Sequence, residues 1–201
     1  MHHRLTVILI PVLLLAALAL GALLWQAGDM LPGLGRVTGS GTADIGRPFV
    51  LTDQDGRARA SSDFAGRYML IYFGYSFCPD VCPTTLALMG DAYDKLGDDK
   101  TRVVPIFITI DPERDSPRQL KSYLRAFGPE FVGLTGNLGT ITKVAASYRV
   151  YFKKHPLPGG QYGLDHSSVI YLMDPHGRFV TYWDDTAIGP DTLAQELRAR
   201  L

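Results

Sequence analysis

The chain has 201 residues, 46% of them apolar, and 20 basic side chains balance 20 acidic ones. With zero formal net charge, no basic run and no interleaving of aromatic with basic residues, nucleic acid is excluded as a partner. No internal repeat is visible.

The first element is an apolar run. Leu5 to Trp25 is 21 residues long and carries no charge. At about 1.5 Å per residue a helix of that length reaches roughly 30 Å, one bilayer core. Pro11 is tolerable in such a helix. A cleaved signal peptide has a shorter apolar run, about 7–15 residues, ending at a small-x-small site. Trp25-Gln26-Ala27-Gly28-Asp29 is a poor site of that kind, so an uncleaved transmembrane anchor is predicted. Arg4 and the N-terminal amine precede the span, while Asp29 and Arg36 follow it. The positive-inside rule then puts the N-terminus in the cytoplasm. In a bacterial cell this is a single-pass inner-membrane protein with its soluble domain in the periplasm. Gly28 to Gly46 is rich in glycine and lacks periodicity, as a tether would be. The expected organisation is an anchor over 1–28, a linker over 29–46 and one domain over 47–201. That leaves about 155 residues, enough for a single core.

Within the domain, Phe49–Thr52, the turn Asp53–Gly56 and Arg57–Ala60 predict a hairpin. Asp63–Gly66 is a short turn. Met69–Phe73 (MLIYF) is a continuous apolar strand of the type buried on both faces. Apolar residues at Leu86, Leu88, Met89, Ala92, Tyr93 and Leu96 predict a helix over 84–96. Val103–Ile110 is a second buried strand. Ser116 as N-cap and Pro117 in the first turn open a helix to about Phe127. Asn137 caps another to Tyr148. Val169–Met173, the turn Asp174–Gly177 and Phe179–Trp183 form a hairpin, and Asp191 caps a last helix. Strands alternating with helices, then a hairpin and a helix, give an α/β fold with a mixed central sheet flanked by helices.

Cys78 and Cys82, the only cysteines, lie in Tyr72-Phe73-Gly74-Tyr75-Ser76-Phe77-Cys78-Pro79-Asp80-Val81-Cys82-Pro83. A lone cysteine is usually a small hydrophobe. Two of them, four apart in a proline-bounded turn, are harder to explain by packing. A helix start lowers thiol pKa through its free N–H groups and dipole. Paired thiolates select Cu(I), zinc or redox chemistry over hard cations. A cysteine turn after a buried strand and before a helix fits the thioredoxin architecture.

The stretch YFGYSFCPDVCPTT, the later ITIDPERDSP (Ile108–Pro117) and Asp165-His166-Ser167-Ser168 before a strand resemble the Sco/SenC family. The three motifs occur in that family's order, and the resemblance extends from about Phe49 to the C-terminus. It implies a thioredoxin-like, membrane-anchored copper protein of cytochrome c oxidase assembly. It also implies a copper site made by Cys78, Cys82 and His166.

The residues alone leave His166 in competition with an ordinary structural histidine. His2 and His3 lie on the cytoplasmic side of the anchor, His176 sits in a turn, and His155 follows two lysines. His166 enters the Val169–Met173 strand, near the cysteine turn. Two thiolates and an imidazole can hold Cu(I) in three-coordinate geometry, or Cu(II) with a weak fourth donor. Asp165 is a candidate to orient the imidazole. Asp80, between the cysteines, tunes charge, meets a partner, or is a solvated turn residue. Asp111-Pro112-Glu113-Arg114-Asp115 either supports the cysteine loop or docks a partner, or is a plain helix-opening turn. Tyr148–Gly163 moves on metal binding, presents Lys153 and Lys154 to an acidic partner, or is a hairpin excursion.

Thioredoxin-like oxidoreductases place two residues between their cysteines and a cis-proline at the following strand. This chain has three between them, and Asp165, His166 and Ser167 occupy the proline's region. Together with the Sco/SenC resemblance, this implies a metallochaperone, not an enzyme, which receives copper from a donor protein. It passes the copper to the dinuclear centre of cytochrome c oxidase subunit II. An oxidising compartment permits a Cys78–Cys82 disulfide without requiring one. The alternative is a thiol-disulfide reductase that keeps the target cysteines reduced. A peroxiredoxin-like peroxidase would need one strongly activated cysteine beside an arginine.

Overall fold

The structure, a computed structural model, describes residues 44–201. The apolar run 5–25 and nearly all of the Gly-rich stretch lie outside the described residues. Among the described residues no helix is long and apolar enough to cross a membrane.

Strands β1 (Val50–Asp53) and β2 (Ala58–Ala60) form the first hairpin, with Leu51 opposite Arg59. Asp53 Oδ1 closes the turn by accepting from the N–H groups of Asp55 and Arg57, both at 2.9 Å. Then come β3 (Tyr68–Gly74), α1 (Val81–Asp94), β4 (Val103–Thr109), α2 (Pro117–Leu124), β5 (Val132–Thr135) and α3 (Leu138–Ser147). The chain ends with β6 (Phe152–Pro156), β7 (Tyr162–His166), β8 (Val169–Met173), β9 (Phe179–Asp184) and α4 (Pro190–Arg198). Seven strands make one sheet in the order β2-β1-β5-β4-β3-β8-β9, while β6 and β7 form a separate hairpin. β3 pairs in parallel with β4, and β4 with β5; β8 joins β3 antiparallel. The parallel pairs require crossovers, and α1 and α2 supply them.

Burial explains the two apolar strands. Every residue of β4, and β3 from Met69 onward, is buried, because strands central to a helix-flanked sheet meet solvent on neither face. The core runs from Leu51 and Phe64 through these strands to Leu193 and Leu197 of α4, which packs against α1.

Several boundaries differ from the sequence-based expectation. α1 starts at Val81, three residues early, so Cys82 and Pro83 lie in its first turn. Proline costs nothing there, because the first four N–H groups of a helix have no internal partner. α2 stops at Leu124 instead of about Phe127. Gly189, not Asp191, caps α4; Pro190 takes the first position, and the Asp191 carboxylate sits 2.8 Å from Lys95 Nζ. Tyr148–Gly163 contains β6 and the start of β7, the hairpin alternative. His166 ends β7 instead of entering β8. β5 has no counterpart among the expected elements; its four residues include Gly133.

Candidate metal centre

β3 delivers the chain to the cysteine loop. Gly74, its last residue, is needed for close approach: a Cβ there would stand 2.8 Å from Cys82 Sγ and 3.0 Å from the Phe107 ring. After Gly74 the loop turns, and Cys78 N–H donates to Tyr75 O at 3.2 Å. α1 then begins, and Cys82 N–H points at Cys78 Sγ, 3.5 Å away. The free N–H of a helix first turn is thus aimed at one sulfur while the other sulfur rides on the same turn. Cys78 is half-buried and Cys82 fully buried, and both are free cysteines.

His166 arrives from the opposite side. Its Nε2 lies 3.4 Å from Cys82 Sγ. Its Nδ1 lies 2.9 Å from Ser167 O, which can only accept, so Nδ1 carries a proton and Nε2 is the ring atom that faces the sulfurs. The rings of Tyr72 and Tyr75 stand edge-on to the imidazole, with centroids 6.4 and 5.9 Å away. The structure therefore brings Cys78, Cys82 and His166 together, with their donor atoms all within 4.8 Å of one another.

The electrostatics divide the two cysteines. Cys78 is held far below the ordinary thiol range, at about 3, chiefly by the hydrogen bond from Cys82. Burial opposes this, while His166 and backbone N–H groups assist. Cys82 moves the other way, because it shares its proton with Cys78, is buried and feels the Cys78 charge. The pair thus shares one proton, and its surroundings favour the negative charge on Cys78. Burial pushes His166 down, but contact with Cys78 and the Ser167 carbonyl outweigh it, and its pKa ends up raised.

The acidic motif after β4 supports the loop. Asp115 is buried and accepts from Ser76 N–H at 3.0 Å, from Ser76 Oγ and from Thr109 Oγ1 at 2.6 Å. Burial raises its pKa against those hydrogen bonds. Arg114 joins the loop to the hairpin. Its guanidinium lies 3.7 Å from the Tyr162 ring centroid and 4.9 Å from that of Phe77, and its Nη1 donates to Tyr162 O at 3.0 Å. Arg114 Nε meets Asp111, which also accepts from Tyr162 Oη at 2.8 Å.

Other expectations are resolved by position. Asp165 is exposed and lies 3.1 Å from His155 Nδ1; the Ser167 carbonyl, not Asp165, orients the imidazole. Asp80 is exposed and makes no side-chain cap bond. Lys154 pairs within the chain with Glu113 at 2.6 Å. His176 sits in an exposed turn. Sequence reasoning missed Tyr72, whose hydroxyl lies 4.0 Å from Cys82 Sγ and 3.0 Å from Ser168 Oγ. Its only signal is a hydroxyl inside an otherwise apolar strand.

The family model described as SCO1/SenC matches residues 37–201. The chain belongs to the SCO1/SenC family. It is 41% identical over 145 residues to the mitochondrial protein SCO1 homolog 1 of Arabidopsis thaliana, covering 72% of this chain but 43% of that relative. The chain thus matches less than half of that protein's length. Among solved structures, Bradyrhizobium japonicum ScoI with copper bound is 46% identical and superimposes with a TM-score of 0.73. That match covers 78% of this chain and 99% of ScoI. BsSco, described as a member of the Sco family of cytochrome c oxidase assembly proteins and as carrying a disulfide switch, is 25% identical with a TM-score of 0.63. It covers 80% of this chain and 95% of BsSco. The mixed α/β sheet flanked by helices is that of the Sco thioredoxin-like structures.

Proposed function

We propose that this SCO1/SenC protein is a copper metallochaperone whose cargo is held by Cys78, Cys82 and His166. The observation that carries the reading is the convergence of two sulfurs and one imidazole nitrogen within 4.8 Å. Two thiolates and an imidazole are a soft donor set suited to Cu(I). The copper-bound ScoI relative supports the same metal. Cu(II) would need a weak fourth donor. Binding displaces the Cys82 proton, since only the thiolate is a ligand.

Half-buried Cys78 and fully buried Cys82 suggest an order of release. An incoming thiolate reaches the metal from the Cys78 side, takes its place in the coordination shell, and frees the remaining donors in turn. The proposed acceptor is the dinuclear copper centre of cytochrome c oxidase subunit II, and the donor is a separate copper protein. We further infer that residues 1–28 anchor the chain in the inner membrane. Residues 29–46 then tether the copper-binding domain, 47–201, on the periplasmic side. The uncharged run Leu5–Trp25 supports that placement.

A second reading is thiol-disulfide exchange. The depressed Cys78 thiol beside a protonated Cys82 favours it, as does the disulfide switch of BsSco. Cys78 would attack a target disulfide, and Cys82 would resolve the mixed disulfide, leaving target dithiol and a Cys78–Cys82 disulfide. His166 separates the readings, because copper needs it and thiol exchange needs only the sulfurs. The test is oxidase copper loading in cells that carry His166→Ala or Cys78→Ser. Failure of loading in both supports the chaperone; normal loading with His166→Ala and failure with Cys78→Ser supports the reductase.

A further inference from the structure

Beneath the sulfurs lies a buried polar cluster that the proposed function does not use. Asp185 follows β9 and is 8% exposed. One of its carboxylate oxygens, Oδ2, accepts from both Thr85 Oγ1 and Ser168 Oγ. Thr85 is one helical turn beyond Cys82 on α1; Ser168 is two residues beyond His166. Two elements that approach the site from opposite sides therefore meet on a single oxygen atom.

The direction of each hydrogen bond follows from donor accounting. A carboxylate oxygen accepts, so both hydroxyls donate to it. Thr85 has a second acceptor, Val81 O at 3.0 Å, but Asp185 is nearer. Ser168 has spent its proton on Asp185 and so accepts from Tyr72 Oη at 3.0 Å, which leaves the Tyr72 oxygen facing Cys82 Sγ at 4.0 Å. The Asp185 N–H reaches Ser168 O at 3.5 Å, a weak second link. Among the described residues, buried Asp185 Oδ1 has no hydrogen-bond partner.

We propose that Asp185 is a positioning residue of the metal centre: by holding Thr85 and Ser168 on one oxygen, it sets the spacing between Cys82 and His166. The proposal rests on the reading of Cys78, Cys82 and His166 as the copper site. Asp185 hydrogen-bonds to Thr85 and Ser168 and not to the three donors, although its charge is felt at His166. It acts by fixing where β7 and its turn place the imidazole relative to α1. Groups that orient ligands in this way commonly change metal affinity on the order of tenfold or more when removed.

The test uses the full-length chain in detergent, with Cu(I) as the probe in anaerobic competition against a chromophoric chelator. Asp185→Asn, Ser168→Ala and Thr85→Val are each made alone and in a His166→Ala background. The expected result is a weakening on the order of tenfold for Asp185→Asn and Ser168→Ala with His166 present. In the His166→Ala background, less than about twofold is expected, because no imidazole is left to position. Thr85→Val combined with Ser168→Ala should cost no more than the larger single change, since both act through one oxygen. Without metal, Ser168→Ala should weaken the nuclear Overhauser contacts between the His166 ring and the Tyr72 and Tyr75 rings. Ser168→Ala and Thr85→Val keep the test valid if Asp185→Asn does not fold. Equal losses in both backgrounds, or lowered melting temperature with unchanged Cu(I) affinity, would overturn the positioning role. So would a loss with His166→Ala that no cluster variant reproduces. If His166→Ala itself leaves Cu(I) affinity intact, the metal-site reading falls and the proposal with it.

Discussion

The two halves of the centre are built differently. The sulfur half grows out of the core. β3 is paired along its length with β4, from Tyr68 opposite Val103 to Gly74 opposite Thr109. Cys82 is buried against Gly74, and Asp115 holds the Ser76 backbone. The imidazole half ends a two-stranded hairpin outside the main sheet, whose β6 strand is largely exposed. It is tied to the rest mainly through side chains: Leu164 N–H donates to Tyr75 Oη at 3.3 Å, Arg114 and Asp111 hold Tyr162, and Ser168 reaches Asp185. A ladder of backbone bonds between buried strands opens only with the fold, whereas side-chain links break singly. From this comparison we infer that the sulfurs form a fixed platform and the imidazole is the adjustable donor.

The largest effect should fall on the platform. Cys82→Ser or Cys78→Ser removes a thiolate, and Cu(I) affinity should fall by about a hundredfold or more. Chelator competition measures it, and tight stoichiometric binding by the double serine variant would break the platform account. Gly74→Ala comes next. Its Cβ would stand 2.8 Å from Cys82 Sγ, so the strand or the helix must shift. Overpacking of this kind costs about 1–3 kcal/mol, readable in urea unfolding. An unchanged midpoint would show that the sulfur half yields after all.

Much of the platform is legible in the amino-acid sequence. MLIYF and VVPIFITI announce buried strands by unbroken apolarity, and the paired cysteines sit where one of them ends. Asn137 and Ser116 cap their helices as their side chains require, accepting from Thr140 N at 2.8 Å and Gln119 N at 3.2 Å. Less is legible in the imidazole half, because its contacts join residues far apart in sequence. Thr85 and Asp185 are 100 positions apart, and no local pattern marks Asp185. Asp191 reads as a cap, but Gly189 before Pro190 provides the same extended geometry two positions earlier. The placement of His166 at the end of β7 is hidden because FKKHP carries charge and proline on an exposed strand.

A smaller effect sharpens the contrast between the two sulfurs. Cys78, depressed to about 3, is a thiolate above that pH and loses its charge only as pH falls toward it. Its alkylation by iodoacetamide should therefore stay nearly level between about pH 5.5 and 8. An ordinary thiol near 8.5 would be only about a thousandth ionised at pH 5.5. Cys82 should lag at every pH in this range, being buried and protonated. Mass spectrometry of the alkylated peptides reads both rates. A Cys78 rate that falls tenfold per pH unit would remove the asymmetry.

The smallest effect lies where the chain leaves α3 for the hairpin. Arg149 has φ 58°, the left-handed region, at a position helices usually give to glycine. Its N–H donates to Ala146 O and that of Val150 to Ala145 O, which closes the helix end. Arg149→Gly should stabilise the fold by about 0.5–1 kcal/mol and leave Cu(I) affinity unchanged. Urea unfolding and chelator competition on the same sample check both, and altered affinity would make this turn part of the adjustable half.

The most direct measurement is an anaerobic Cu(I) titration of the reduced full-length chain, wild type beside His166→Ala. A fixed sulfur platform completed by one imidazole predicts one Cu(I) per chain in the wild type. His166→Ala should then bind at least about tenfold more weakly, equivalent to about 1.4 kcal/mol. Equal affinities for the two proteins, or tight binding of more than one Cu(I) per chain, would contradict it.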